Sequence, residues 1–381
     1  MTMNRTDDGI GVYIHIPFCL QKCRYCDFLS FVYRQGERTY KAYQAALINE
    51  ITNTPELGGK IDTIYIGGGT PSVLPPDYIA EILVCICGER TETTEITIEV
   101  NPATVTLETL AAYRKMGINR LSFGLQSAND PELELLGRLH TYNDFLRNYA
   151  AARAAGFGNI SVDLMFSLPG QSLDDWMGTL ERAAPLEPEH ISAYGLTVED
   201  GTPFALMRNE GLINSDEALD REMYALTCEI LGRHGYERYE ISNFSKPGYH
   251  SRHNKACWKR AEYIGLGLGV HSFMGETRWR NTSDIDDYIA HNGTPDIIRH
   301  DITPLTKTDA MAEFMFLGLR LTRGVSELEF QETFGLDLRS VYGAQIEKHL
   351  ALETLARQEE RIFLTKKGID VSNVVMAEFF L

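Results

Sequence analysis

The chain is short of positive charge. Its 381 residues carry 36 Lys and Arg against 53 Asp and Glu, a formal net charge of −17 spread along the sequence. A general nucleic-acid binder needs basic surface to displace counterions, so that class is set aside. Long apolar runs are missing as well. None approaches the roughly 18 residues of a membrane span, and the run from Ile79 to Cys87 is interrupted by Glu81. Residues 1–8 are polar and hold no secretion-signal core. There is no internal repeat and no low-complexity tract. A disulfide framework is also unexpected, because the seven cysteines are odd in number and three crowd between positions 19 and 26. Reduced thiols in the cytoplasm are the expectation. With 44% apolar residues, the chain can bury a large core and is expected to hold two domains.

What is present begins with Cys19, Cys23 and Cys26. An apolar run from Gly11 to Ile16 reads as a strand that Pro17 ends, and the three cysteines follow on one loop. Metal tetrads and ferredoxin clusters normally offer four ligands. Three thiolates suit a cubane cluster with one iron left open to a small molecule; a zinc loop, or thiols close by chance, are the alternatives. Beyond the loop, strand-like and helix-like runs alternate. Strands are expected at Asp62–Ile66, Glu95–Val100, Arg120–Leu125, Ile160–Phe166 and His190–Leu196, separated by helical runs with Gly or Pro punctuation. Six such units imply an α/β fold with a parallel sheet curled into a partial (β/α)6, TIM-like barrel. The cysteine loop, the Gly67-Gly68-Gly69-Thr70 run, Glu99, Gln126 and Leu168-Pro-Gly170 all fall at or near the carboxyl ends of these strands. That is where such barrels build their sites.

The expected domains are the barrel over 1–236, an irregular connecting region over 237–304, and a small winged-helix-like helical module over 305–381. The module's helices and hairpin carry nine basic and thirteen acidic residues from Asp301 onward, which disfavours a DNA-reading wing. The connecting region holds His253-Asn-Lys-Ala-Cys257-Trp258. If helical, it sets His253 and Cys257 four apart on one face; both residue types ligate haem iron, although a structural histidine is the plainer reading. Cys85, Cys87 and Cys228 read as packing residues.

The C-x3-C-x2-C loop after a first strand resembles the radical S-adenosylmethionine (SAM) superfamily. The resemblance extends through Tyr13-Ile-His-Ile-Pro-Phe-Cys19, Gly67-Gly-Gly-Thr-Pro-Ser72, Glu99-Val-Asn-Pro102, Gly124-Leu-Gln-Ser127, Leu136-Gly-Arg138-Leu-His140 and Asp163-Leu-Met. Together with the C-terminal module, these motifs are similar to the coproporphyrinogen dehydrogenase-like branch. The resemblance implies that Cys19, Cys23 and Cys26 hold three irons of a [4Fe–4S] cluster and that SAM chelates the fourth. It further implies that Gly68, Gly69 and Thr70 meet the methionine part of SAM. Arg138 would take its carboxylate, Glu99 its amino group or ribose, and Gln126 and Asp163 its ribose hydroxyls. Tyr13 would pack against the cofactor or fill the barrel mouth.

Within the branch, the haem chaperones are the nearer resemblance. The oxygen-independent coproporphyrinogen oxidases, the alternative, carry a further cysteine where this chain has Phe28, and a longer extension before the loop. The chaperones carry a His-Asn-x-x-Tyr-Trp motif implicated in haem binding. Here Cys257 replaces the tyrosine, which leaves His253 and Cys257 as candidate haem ligands. The implied partners are haem and haem-acceptor proteins, membrane-bound respiratory components among them, with a homodimer and peripheral membrane visits in keeping.

Overall fold

Seven parallel strands form the centre of a twelve-stranded sheet in the computed structural model, which describes residues 9–32, 37–213 and 216–380. Strands β1 (Ile10–Ile16), β2 (Ile61–Gly68), β3 (Glu95–Val100), β4 (Arg120–Gln126), β5 (Ile160–Phe166) and β6 (His190–Gly195) lie side by side in chain order. Each pairs parallel with the next. These are the six strands expected from the periodicity, and helices such as Glu37–Thr52, Pro76–Cys85, Leu107–Lys115 and Leu173–Ala183 connect them.

The alternation along these strands explains the architecture. Val12, Ile14, Ile16, Ile64, Ile66, Ile98, Leu121, Phe123, Val162, Leu164 and Ile191 pack outward with Leu47, Ile79, Leu110, Phe145 and Trp176 of the helices in one large apolar core. The residues between them are mostly polar and face the barrel interior. A strand with one apolar and one polar face needs a solvated or ligand-filled space on the second.

Residues 237–304 differ from the expectation of an irregular region. They supply β7 (Glu237–Arg238), β8 (Asn243–Ser245), β9 (Tyr263–Leu266), β10 (His271–Met274), β11 (Thr277–Asn281) and β12 (Arg299–Pro304). β9 adds to β1 in parallel, and β10 to β12 continue that edge antiparallel. β8 and β7 extend the other edge beyond β6, also antiparallel. The sheet therefore stays open. Strands this short, interrupted by Gly265, Gly267 and Gly269, carry too little periodicity to read locally.

The C-terminal residues form helices Lys307–Gly318, Glu327–Phe334 and Leu338–Ala351 with a three-stranded sheet of Val325–Ser326, Leu355–Gln358 and Arg361–Leu364. They have their own apolar cluster around Met315, Phe330, Tyr342, Ile362 and Phe379. A buried ionic junction ties this module to the sheet extension. Arg260 Nε and Arg278 Nε both donate to Glu313, at 2.8 and 2.6 Å, and Arg320 approaches the fully buried Glu240 at 3.4 Å. Among the described residues no helix is long and apolar enough to cross a membrane.

Candidate cofactor site at the carboxyl ends of the strands

Pro17 ends β1 and the chain turns into the cysteine loop, which is pinned at several points. The Phe31 amide donates to Pro17 O at 2.8 Å, the Arg24 amide to Leu136 O at 3.0 Å, and Gln21 Nε2 to Gly137 O at 3.0 Å. His15 holds the far end, with Nε2 2.8 Å from Leu29 O. Cys19 is buried, Cys23 and Cys26 are half-buried, and all three are free thiols lining one cavity of about 560 Å³. Burial pushes the Cys19 thiol up, and the Cys26 thiol up to about 11. They would hold protons at neutral pH unless a metal drew them off. Among the described residues, no three His, Cys, Asp or Glu side chains close on a single ion. Three thiols on one loop, all lining one cavity, fit a cluster with one iron left to a small molecule.

The glycine run lies against this loop. Gly68 sits at φ 113, and a Cβ there would fall 2.4 Å from the His15 ring. A Cβ on Gly69 would come within 2.8 Å of Phe18 O and 3.0 Å of Cys19 Sγ. The Gly69 amide donates to Ile16 O and the Thr70 amide to Phe18 O, while Thr70 Oγ1 reaches Cys19 Sγ at 3.6 Å. Backbone and cysteine can approach this closely only without a side chain. Gly69→Ala is expected to displace Cys19 and to weaken SAM binding about tenfold, the equivalent of ~1.4 kcal/mol of overpacking. Calorimetric titration of reconstituted protein checks it; unchanged affinity would show that the turn gives way.

Below the rim, Glu99, Gln126, Arg138 and Asp163 all line the same cavity. Glu99 accepts from Tyr65 Oη at 2.9 Å and the Gly68 amide at 3.1 Å. Burial, with nearby Asp163 adding to it, pushes its carboxyl up to about 7. Gln126 closes β4 at φ 71, and its Oε1 accepts from Tyr194 Oη at 3.0 Å. Arg138 donates to Gly124 O at 2.6 Å and to Cys23 Sγ at 3.6 Å, and its buried Nε has no partner. Asp163 accepts from Ser122 at 3.1 Å and Ser161 at 3.3 Å, and burial raises its carboxyl. A cation, two carboxyls and an amide around an open space beside three thiols are what the ammonium, carboxylate and ribose of SAM require. The orphaned Nε and the glycine cradle are consistent with that occupant.

Three expected site residues lie elsewhere. Tyr13 is absent from the cavity lining; its hydroxyl is 3.2 Å from His15 Nδ1 and its ring stacks on Tyr65. His253 lies on the helix Arg252–Trp258, buried, with Nδ1 2.8 Å from Thr63 Oγ1. Burial, helped by Arg120, pushes its pKa down to about 4. Cys257 shares that helix, and burial raises its thiol to about 11. Neither residue opens onto the cavity. Cys87 corrects a smaller expectation, being exposed beyond the helix end at Cys85. The structure also adds Tyr65, Arg120, Ser122, Ser192 and Tyr194 to the site. Their signal in the sequence was a polar residue at every second position of β2, β4 and β6.

Residues 13–183 match the Radical SAM superfamily and residues 305–371 the HemN C-terminal domain. A radical SAM protein is therefore the class that fold and site define, with a [4Fe–4S] cluster and SAM as its cofactors. The heme chaperone HemW of Bacillus subtilis is 36% identical over 97% of this chain and 98% of its own length, and that of Lactococcus lactis 34% over 97% of each. A mouse protein, radical S-adenosyl methionine domain-containing protein 1, mitochondrial, is 34% identical over 90% of this chain and 80% of its own. The chain belongs to the HemW family. In fold it superposes on the solved coproporphyrinogen III oxidase (HemN) of Escherichia coli with a TM-score of 0.84, over 99% of this chain and 91% of that one, at 23% identity.

Proposed function

We propose that this protein is a haem chaperone that binds haem beside a SAM-loaded [4Fe–4S] site and hands it to haem-requiring proteins. The observation that carries the reading is the near full-length similarity to HemW chaperones, module included. Cys19, Cys23 and Cys26 hold the cluster. Arg138, Glu99, Gln126 and Asp163 hold SAM, with Gly68, Gly69 and Thr70 at its methionine end. When bound, cluster and nucleotide supply one-electron chemistry at the sulfonium. The chain's own part is to position the nucleotide and exclude water from it. Phe28, 63% exposed beside the loop, stands where the resembling oxidases carry a further cysteine. His253 is the proposed haem ligand, neutral at pH 7 because of its lowered pKa, with Cys257 as second donor. Reaching them requires the helix Arg252–Trp258 to lift from Thr63. Acceptors include membrane-bound respiratory components, and two copies pair during transfer.

Haem titrated into the wild type is expected to shift the Soret band, and more weakly in His253→Ala. Equal spectra would remove His253 from the site. Anaerobic incubation with coproporphyrinogen, SAM and a reductant is expected to yield no protoporphyrinogen. Product formation would replace the chaperone reading with an oxidase.

A further inference from the structure

Two guanidinium groups face the barrel cavity, and the SAM reading uses only one. Arg138 reaches Gly124 near the carboxyl end of β4. Arg120 is the first residue of that strand, on the order of 13 Å lower at ~3.3 Å per residue. It is 2% exposed and lines the cavity, yet among the described residues its guanidinium makes no hydrogen bond or ion pair, and its Nε is orphaned. An unpaired buried cation is costly unless water or a ligand satisfies it.

Asp163 and Glu99 lie near enough for its charge to lower both carboxyls, but neither makes a hydrogen bond or ion pair with it. Asp163 is served by the hydroxyls of Ser122 and Ser161, and Glu99 by Tyr65 and the Gly68 amide. The same cavity is lined by Asn243 and Asn254. Asn243 gives its amide N–H to Glu240 at 2.6 Å and leaves a buried Oδ1 without a partner. The Asn254 side chain makes no hydrogen bond among the described residues, and its helix also carries His253. His190, Tyr239 and His253 complete the surroundings as neutral groups, with both imidazoles held below their usual range by burial. A planar fork of donors without hydrogen-bond partners matches the two oxygens of a carboxylate.

We propose that Arg120 forms a carboxylate subsite on the barrel floor for a second ligand that binds together with SAM. SAM has one carboxylate, and Arg138 accounts for it. The proposal rests on that SAM reading. The carboxylate has two sources: a propionate arm of haem, or a free small carboxylic acid.

The experiment uses the full chain, reconstituted anaerobically and loaded with SAM, as wild type, Arg120→Gln and Arg120→Lys. Each is titrated with haem and with haem dimethyl ester, and melted with and without succinate. If the source is haem, esterification weakens wild-type binding about tenfold, leaves Arg120→Gln unchanged, and has an intermediate effect in Arg120→Lys. If the source is a free acid, ester and haem bind alike, and succinate raises the wild-type melting temperature but not that of Arg120→Gln. Recovery in Arg120→Lys separates lost charge from a damaged barrel. Wild type and Arg120→Gln responding identically to esterification and to succinate would overturn the subsite. A wild type that binds no haem would overturn the chaperone reading and leave the succinate comparison to decide the subsite.

Discussion

Alanine at any one of Cys19, Cys23 or Cys26 is expected to reduce iron from about four per chain to near zero after anaerobic reconstitution. The three thiols share one cavity wall, and no other cysteine lines it. Cys85 and Cys228 are half-buried against the main core, and Cys87 is exposed. Alanine at those three positions should therefore leave the iron content unchanged. A cubane held by three protein ligands has no spare thiolate to take over a lost corner. The buried environment that raises the thiols of Cys19 and Cys26 also makes a partial site poor at retaining metal. Colorimetric iron and sulfide analysis with the visible cluster spectrum reads the result. Retention of four irons in any of the three variants would mean that a different group ligates the cluster.

The second large effect lies away from the cavity. Glu50, on the helix Glu37–Thr52, is buried and accepts from the Gly267 amide at 2.8 Å, Asn281 Nδ2 at 2.6 Å and Tyr288 Oη at 2.5 Å. Its partners belong to the turn after β9, the end of β11 and the helix Ile285–Ala290. One carboxyl thus fastens the sheet extension to the helix that follows the cysteine loop. Glu50→Ala would strand the Gly267 amide and the Tyr288 hydroxyl at about 1–3 kcal/mol each and leave Asn281 Nδ2 with Gly267 O alone. A loss of roughly 3–5 kcal/mol is expected, a large part of a typical domain's 5–15 kcal/mol.

Burial also pushes Glu50 up to about 7, against the pull of its three hydrogen bonds. The folded chain therefore keeps a proton that the unfolded chain releases between about pH 4.5 and 7. The contribution is fully present below that window and is lost as pH rises through it. Glu99 acts in the same direction. Urea denaturation of the wild type should show stability falling from pH 5 to 7, with a shallower fall in Glu50→Gln. An identical slope would mean that Glu50 is ionised at low pH or hydrated.

Much of the site was legible because its signals are local. Ligand spacing on one loop, a glycine run after a strand and polar residues at strand ends need no knowledge of distant contacts. The six barrel strands were legible for the same reason, since each carries its own alternation. β7 to β12 were not. Their pairing joins residues far apart in sequence, such as Gly11 with Tyr263 and Ser192 with Asn243; β7 to β11 are short, and β12 is exposed along nearly its whole length and so shows no alternation. Arg120 passed unnoticed because a basic residue at the start of a strand looks like solvent-facing punctuation. Only the curl of the sheet, which sets Arg120 on its inner face, turns it inward. His253 shows the converse limit. Its motif was visible, but the depth at which Thr63 and Tyr65 receive it was not.

The shared grip of Arg260 and Arg278 on Glu313 bears on how the gene for such a protein can be cut. A chain terminated near residue 304 would take Glu313 from Arg278, leave Arg260 with Glu276 alone, and leave the buried Glu240 without Arg320. The barrel should then come out of cells clumped and short of iron, even with every cofactor residue intact. A workable fusion partner belongs at the end of the last helix rather than at the visible joint.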